Sequence, residues 1–117
     1  MYAQQGNGDS PDAEFIVCSL DLISGMAEGL KESIAALIAE SNLLPLLLEC
    51  LKNPEPAVRE SGFALVGDLA KTRIGLLQPV MPQLFPYILA NLDPEHASVC
   101  NNCSWSLGEI AIKVFVH

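Results

Sequence analysis

Apolar residues recur at helical spacing along most of the chain, and no segment shows the period-two alternation of a half-buried strand. From Ala13 to Gly29 the positions Phe15, Ile16, Leu20, Ile23, Ala27 and Leu30 repeat every three or four residues, with Gly29 as a C-terminal stop. Shorter helices are expected from Glu32 to Glu40 and from Leu43 to Leu51. Asn53-Pro54-Glu55-Pro56 closes the latter, because proline cannot continue a helix yet suits the first turn of the next. Further helices are predicted from Pro56 to Lys71, from Pro79 to Asn91 and from His96 to Val116. A linker over Thr72 to Leu77 joins the first two of these. Asp93-Pro94 precedes the last, with Asp93 able to cap and Pro94 in the first turn. Residues 1–12, rich in Gly, Asn, Gln, Asp and Ser, read as a flexible tail.

The helical stretches echo one another. Val58-Arg59-Glu60-Ser61-Gly62-Phe63-Ala64-Leu65-Val66-Gly67-Asp68-Leu69-Ala70 aligns without gaps on Val99-Cys100-Asn101-Asn102-Cys103-Ser104-Trp105-Ser106-Leu107-Gly108-Glu109-Ile110-Ala111, a shift of 41 positions. Pro45, Leu47, Leu48 and Leu51 correspond in the same way to Pro86, Ile88, Leu89 and Leu92. Self-similarity at about 40 residues marks stacked helical repeats, each unit burying its apolar face against a neighbour. The chain is therefore expected to be all-α, a solenoid of about two and a half repeats of antiparallel helix pairs. Its expected parts are the second helix of one repeat (13–30), a full repeat (32–71) and a further one (74–116). Such arrays bind partners more often than they catalyse reactions.

Helical wheels, at about 100° per residue, assign the faces. With Val99 at zero, Cys103, Ser106, Leu107, Ile110 and Val114 fall between roughly −20° and +80°, the predicted core stripe. Asn101, Trp105, Gly108 and Glu109 fall on the opposite side. In the equivalent helix Val58, Gly62, Leu65, Val66 and Leu69 face inward, while Glu60, Ala64 and Asp68 share the far face. Second helices of successive repeats stand side by side and line one wall, which here is acidic and holds the chain's single Trp. Asp21 and Glu28, seven apart, can extend that wall from the first helix. Two alternatives stand beside this reading. Trp105 can pack under an adjacent repeat, and the acidic residues can form a merely solvated face.

Composition narrows the function. Of 117 residues 50% are hydrophobic and 17% charged, ample for a core, and high enough to suggest apolar ends that neighbouring repeats would cover. The formal net charge of −8, with six Lys and Arg, argues against nucleic acid and anionic membranes and favours basic partners. Ile74 to Leu92 carries no charge over a membrane-spanning length, but Pro79, Pro82 and Pro86, with Gln78, Gln83 and Asn91, interrupt it, so no membrane insertion is expected. Residues 1–12 lack the apolar region of a signal peptide, and Cys18, Cys50, Cys100 and Cys103 are expected to stay reduced. Cys100-x-x-Cys103 near His96 has no second Cys pair to complete a metal site. Gly62 and Gly67 have the spacing of a phosphate loop, but Asp68 stands where the Lys must be. No nucleophile, base or metal constellation indicates an enzyme, and no cofactor is expected.

Leu44 to Arg59, with its early Pro45, its turn and Val58-Arg59 opening the second helix, resembles the HEAT repeat pattern. The match is weaker in the next unit, where Cys100 replaces the Arg. Phe15 to Leu30, Phe63 to Leu69 and Ser98 to Ile110 further resemble the transportin (karyopherin-β2) family of importin-β-type nuclear import receptors, the likeness covering about residues 14–113. The resemblance implies a segment of the family's C-terminal arch, whose inner helices hold extended, basic nuclear localisation signals of the proline-tyrosine class. Positions matching the family's cargo-contacting residues are Asp21, Glu28, Asp68, Asn101 and Trp105. It also implies a protein that shuttles between cytoplasm and nucleus, and a Ran GTPase site lying mainly in amino-terminal repeats outside the matched stretch. The competing expectation is a generic HEAT scaffold for another complex, with no signal-peptide binding.

Overall fold

The computed structural model describes residues 11–30 and 43–115, and the side chains of 12–26 and 43–115. Among the described residues five α-helices run in chain order: α1 (Pro11–Leu30), α2 (Leu43–Cys50), α3 (Pro56–Arg73), α4 (Met81–Ala90) and α5 (Ala97–Phe115). No strand occurs among the described residues. Helix α3 is central, with α1 packed on one side and α5 on the other, while α2 contacts α3 and α4 contacts α5. The result is an all-α solenoid, with an inner row α1–α3–α5 and an outer row α2, α4. Contacts across the α3–α5 seam advance together, Glu60 with Asn102 and then Gly67 with Trp105, so these inner helices run parallel.

The two inter-helix turns close by the same local chemistry. Asn53 Oδ1 accepts from the Glu55 backbone N–H at 2.9 Å, and Asp93 Oδ1 accepts from the Glu95 N–H at 3.0 Å. In each case the carboxyl or amide side chain stands in for a missing backbone partner ahead of a helix. Glu55 is extended, with φ −82° and ψ 119°, and Pro56 occupies the first turn of α3 without forfeiting a hydrogen bond. Pro94 opens a short 3-10 turn, Pro94–His96, that leads into α5.

Several boundaries differ from expectation for local reasons. Pro11 and Asp12 belong to α1 rather than to a tail over 1–12, and the expected helix from Glu32 to Glu40 lies outside the described residues. Thr72 and Arg73 continue α3 instead of starting a linker. The Thr72 hydroxyl donates to the Asp68 carbonyl at 2.7 Å, which satisfies it within the helix. Two 3-10 turns, Ile74–Leu76 and Gln78–Val80, then carry the chain to α4. Pro86 sits inside α4, where it withholds one ladder hydrogen bond from the carbonyl of Pro82.

Burial follows the wheels on α3, where Val58, Gly62, Leu65, Val66 and Leu69 are all buried. Phe63 and Ala70 are buried too, because α3 has an inner helix on both flanks. Each large side chain of this kind contributes about 1.5–3 kcal/mol relative to leaving it exposed. On α5, Val99, Cys103, Ser106 and Ile110 are buried and Leu107 is half-buried. Val114, expected in the core stripe, is exposed: it lies one turn past Ile110, where the helix end has neighbours on fewer sides. Phe15 is also exposed, because α1 turns Ala13 and Leu20 inward and Phe15 lies about 200° from Ala13.

Polar ties fix the register of the units. Arg59 donates through Nε to Asn91 Oδ1 at 2.9 Å and through a terminal nitrogen to the Asn53 carbonyl at 2.7 Å. Asn91 Nδ2 in turn donates to the Tyr87 carbonyl at 2.8 Å. One guanidinium thus fastens the first turn to the end of α4. Cys100 occupies the equivalent position in α5 and cannot repeat the tie. Inside the second unit the Cys103 thiol donates to the Ile88 carbonyl at 3.2 Å, and the Ser106 hydroxyl donates to the Cys103 carbonyl at 2.8 Å. These two buried polar side chains are therefore partnered.

Candidate functional site

The five residues singled out in the sequence fall on the inner row of helices. Asp21 is exposed on α1, Asp68 half-buried on α3, and Asn101 and Trp105 exposed on α5. Glu28 lies on α1 seven residues after Asp21, with its side chain outside the described residues.

Trp105 is seated across the α3–α5 seam. A Cβ placed on Gly67 would overlap ring atoms Cε3, Cζ3 and Cη2 of Trp105, so the indole rests directly on the glycine backbone of α3. The residue nonetheless remains 39% exposed. Both sequence alternatives for Trp105 thus hold in part: it packs on the adjacent repeat and also presents a face outward. Asp68 follows Gly67 directly in α3 and is half-buried. A partly exposed indole on a helix row that also carries carboxylates can accept a cation on its face.

Two structural partners of this wall were missed from sequence. In the sequence Gly67 belongs to the 41-residue echo and to a spurious phosphate-loop spacing, neither of which marks it as the seat of an aromatic ring. The signal that identifies it is its position 38 residues before Trp105, one turn short of the 41-residue period. Asn102, next to Asn101, donates through Nδ2 to the Glu60 carbonyl at 2.9 Å. That bond pins α5 to α3 and turns Asn101 to the exposed side.

Elsewhere the chemistry is structural. Burial pushes the Cys103 thiol up to about 12, with the neighbouring Cys100 adding to the rise. Burial, with a smaller contribution from Glu49, also raises the Cys50 thiol. Among the described residues no three of His, Cys, Asp and Glu come together as a metal site. No described helix is long and apolar enough to cross a membrane. A largely apolar groove of about 590 Å³ between α1 and α2 is lined by Phe15, Ile16, Leu20, Ile23, Leu43 and Leu46, among others. Glu49 and Lys52, paired at 3.2 Å, also line it, and it includes none of the five residues.

Comparison with known proteins places this geometry. The HEAT repeat model matches residues 43–73, which span α2, the Asn53 turn and α3. Human Transportin-1 is 44% identical over 115 residues, 98% of this chain and 13% of its own length. The chain belongs to the transportin/importin-β family. Transportin from Dictyostelium discoideum is 44% identical over 111 residues, 95% of the chain and 12% of its own length. Importin subunit beta-2 from Schizosaccharomyces pombe is 33% identical over 110 residues, again 12% of its own length. The chain thus spans about an eighth of the length of these relatives, and within the family it supplies a short run of HEAT units.

Proposed function

We propose that this chain is a segment of a nuclear import receptor and that its inner helices bind basic, extended localisation signals of the proline-tyrosine class. The observation that carries the reading is Trp105 lying on Gly67, 39% exposed, on a helix row that also carries Asp68, in a chain of net charge −8. Asp21, Glu28 and Asp68 attract Lys or Arg side chains of the signal. The Trp105 face packs on a guanidinium or an aliphatic stem, and Asn101 donates to and accepts from the extended peptide backbone. A cation over the indole contributes about 0.5–2 kcal/mol, and an exposed ion pair about 0–1 kcal/mol. Several such contacts are needed together, so a segment of this size binds more weakly than a longer array.

The names of the relatives, Transportin-1 and Importin subunit beta-2, support import as the process, and with it shuttling between cytoplasm and nucleus. Ran GTPase binding, expected of the family, is on this reading carried mainly by repeats outside the matched stretch. Calorimetric titration with a basic peptide ending in Pro-Tyr tests the reading. Trp105→Ala is expected to weaken binding roughly 2- to 30-fold, the equivalent of the cation–indole contribution. Unchanged affinity in that variant removes Trp105 from the site. Equal binding of a neutral peptide of the same length favours the generic scaffold instead.

A further inference from the structure

Trp105 is held at one end of its ring. Of the indole atoms that a Cβ on Gly67 would strike, Cζ3 is the nearest, followed by its two bonded neighbours Cε3 and Cη2. Cζ3 stands directly across the six-membered ring from Cε2, the carbon that bonds Nε1. The benzo corner is therefore set into α3, and the ring N–H points away from that seat. Glycine weakens a helix interior, and here its bare backbone is what admits the ring so closely. Among the described residues no atom accepts a hydrogen bond from Nε1. The exposure of the ring does not depend on what flanks α5. Trp105 leans toward α3, a neighbour that is present, and its counterpart one repeat earlier, Ala64, is still only half-buried although α3 has inner helices on both flanks. This register position opens on the inner wall.

We infer that Trp105 recognises a bound chain through its indole N–H, which donates to a backbone carbonyl oxygen of an extended peptide, and that Gly67 is the positioning residue that aims it. The inference rests on the signal-binding reading above and adds to the cation contact a hydrogen bond that any residue type in the peptide can accept. A chain laid over the ring removes water from Nε1, and a donor left there without an acceptor is penalised. An extended peptide bears a carbonyl at every residue, with no internal partner to occupy it, so the acceptor comes with the conformation rather than with the sequence. A helical ligand commits its carbonyls to its own N–H groups and cannot supply the same acceptor. Carboxylates of the wall thus select charge, and Trp105 selects an extended, unpaired backbone.

The single Trp of the chain gives one indole N–H signal in a proton–nitrogen correlation spectrum, so the whole, unmodified protein can be titrated with a Trp-free basic peptide ending in Pro-Tyr. The indole proton is expected to move downfield and its exchange with water to slow, both saturating with the affinity measured by calorimetry. Trp105→Phe keeps an aromatic face and removes the donor, and is expected to weaken binding roughly 2- to 12-fold, what one net hydrogen bond supplies. Gly67→Ala is expected to weaken the peptide in the parent and to have no effect in the Trp105→Ala background, because it acts through the aim of the ring. Peptide binding with an indole proton that neither shifts nor exchanges more slowly overturns the inference and leaves the acidic wall standing. So does a Trp105→Phe variant that binds as tightly as the parent. Equal weakening by Gly67→Ala in both backgrounds overturns the positioning role. Absence of any peptide binding overturns the signal-binding reading, and this inference with it.

Discussion

Gly67→Ala and Gly108→Ala make the same chemical change at positions one repeat apart, and the structure gives them opposite signs. In the interior of a helix alanine is favoured over glycine by about 0.5–1 kcal/mol. At Gly108 nothing opposes that gain, since no atom lies within 4 Å of the new methyl group. At Gly67 the methyl overlaps three ring atoms of Trp105, and the ring has to leave its seat. With 39% of the residue already exposed, about three fifths of a Trp surface of 150–250 Å² is at stake, roughly 90–150 Å². At about 25 cal/mol per Å², complete expulsion costs about 2–4 kcal/mol, and partial displacement about half that. Offset by the propensity gain, Gly67→Ala should lose about 1–3 kcal/mol if the ring is expelled and about 1 kcal/mol or less if it is only displaced, while Gly108→Ala gains a few tenths to about 1 kcal/mol. Urea unfolding in dilute solution measures both. Because Trp105 is the chain's one Trp, its fluorescence reports the ring directly. Red-shifted emission and easier quenching are expected for Gly67→Ala alone. If both variants are stabilised equally with native emission, Gly67 is not the seat of the ring.

Arg59→Met should lower stability by about 1.5–3 kcal/mol, because it removes charged donors to Asn91 and Asn53 that tie the two units, and Arg59→Lys should restore only part of it. Matching urea midpoints for parent and Arg59→Met would contradict the tie. The Cys103 thiol, raised from the ordinary 9.0 to about 12, favours the neutral form in the folded state. Its stabilising contribution is complete below pH 9 and declines as the pH rises from 9 towards 12, because the unfolded thiol ionises first. Unfolding curves across that range should show the decline in the parent and less of it in Cys103→Ala. A thiol reagent at neutral pH should label exposed Cys18 in the native protein and Cys103 only on unfolding.

The architecture was legible because a repeat writes its packing twice. Matching Val58 to Val99 and Leu69 to Ile110 identified the same buried stripe in both helices, and the Asn53 and Asp93 turns announced where each helix begins. The errors lie where one helix wheel is too little. Phe15 and Val114 belong to apolar patterns, but exposure at the flanks of the row depends on which neighbours are present, and a wheel contains no neighbours. Asp68, Asn101 and Trp105 lie on helix faces that a wheel leaves opposite the core stripe, and they are half-buried or exposed accordingly. How Trp105 is held was not legible, since its seat belongs to another helix and is a residue with no side chain. The Arg59–Asn91 bond, spanning 32 residues, is hidden for the same reason: neither residue lies on a repeated apolar position.

Trp105 emission during titration with a basic, Trp-free peptide ending in Pro-Tyr, at low and at physiological salt, tests most directly whether the inner row is a signal-binding wall. A saturable change in emission is expected, with affinity falling steeply as salt screens the acidic residues. Binding detected by heat without any change in Trp105 emission would move the peptide off this wall. Affinity that does not respond to salt would remove the acidic residues from recognition.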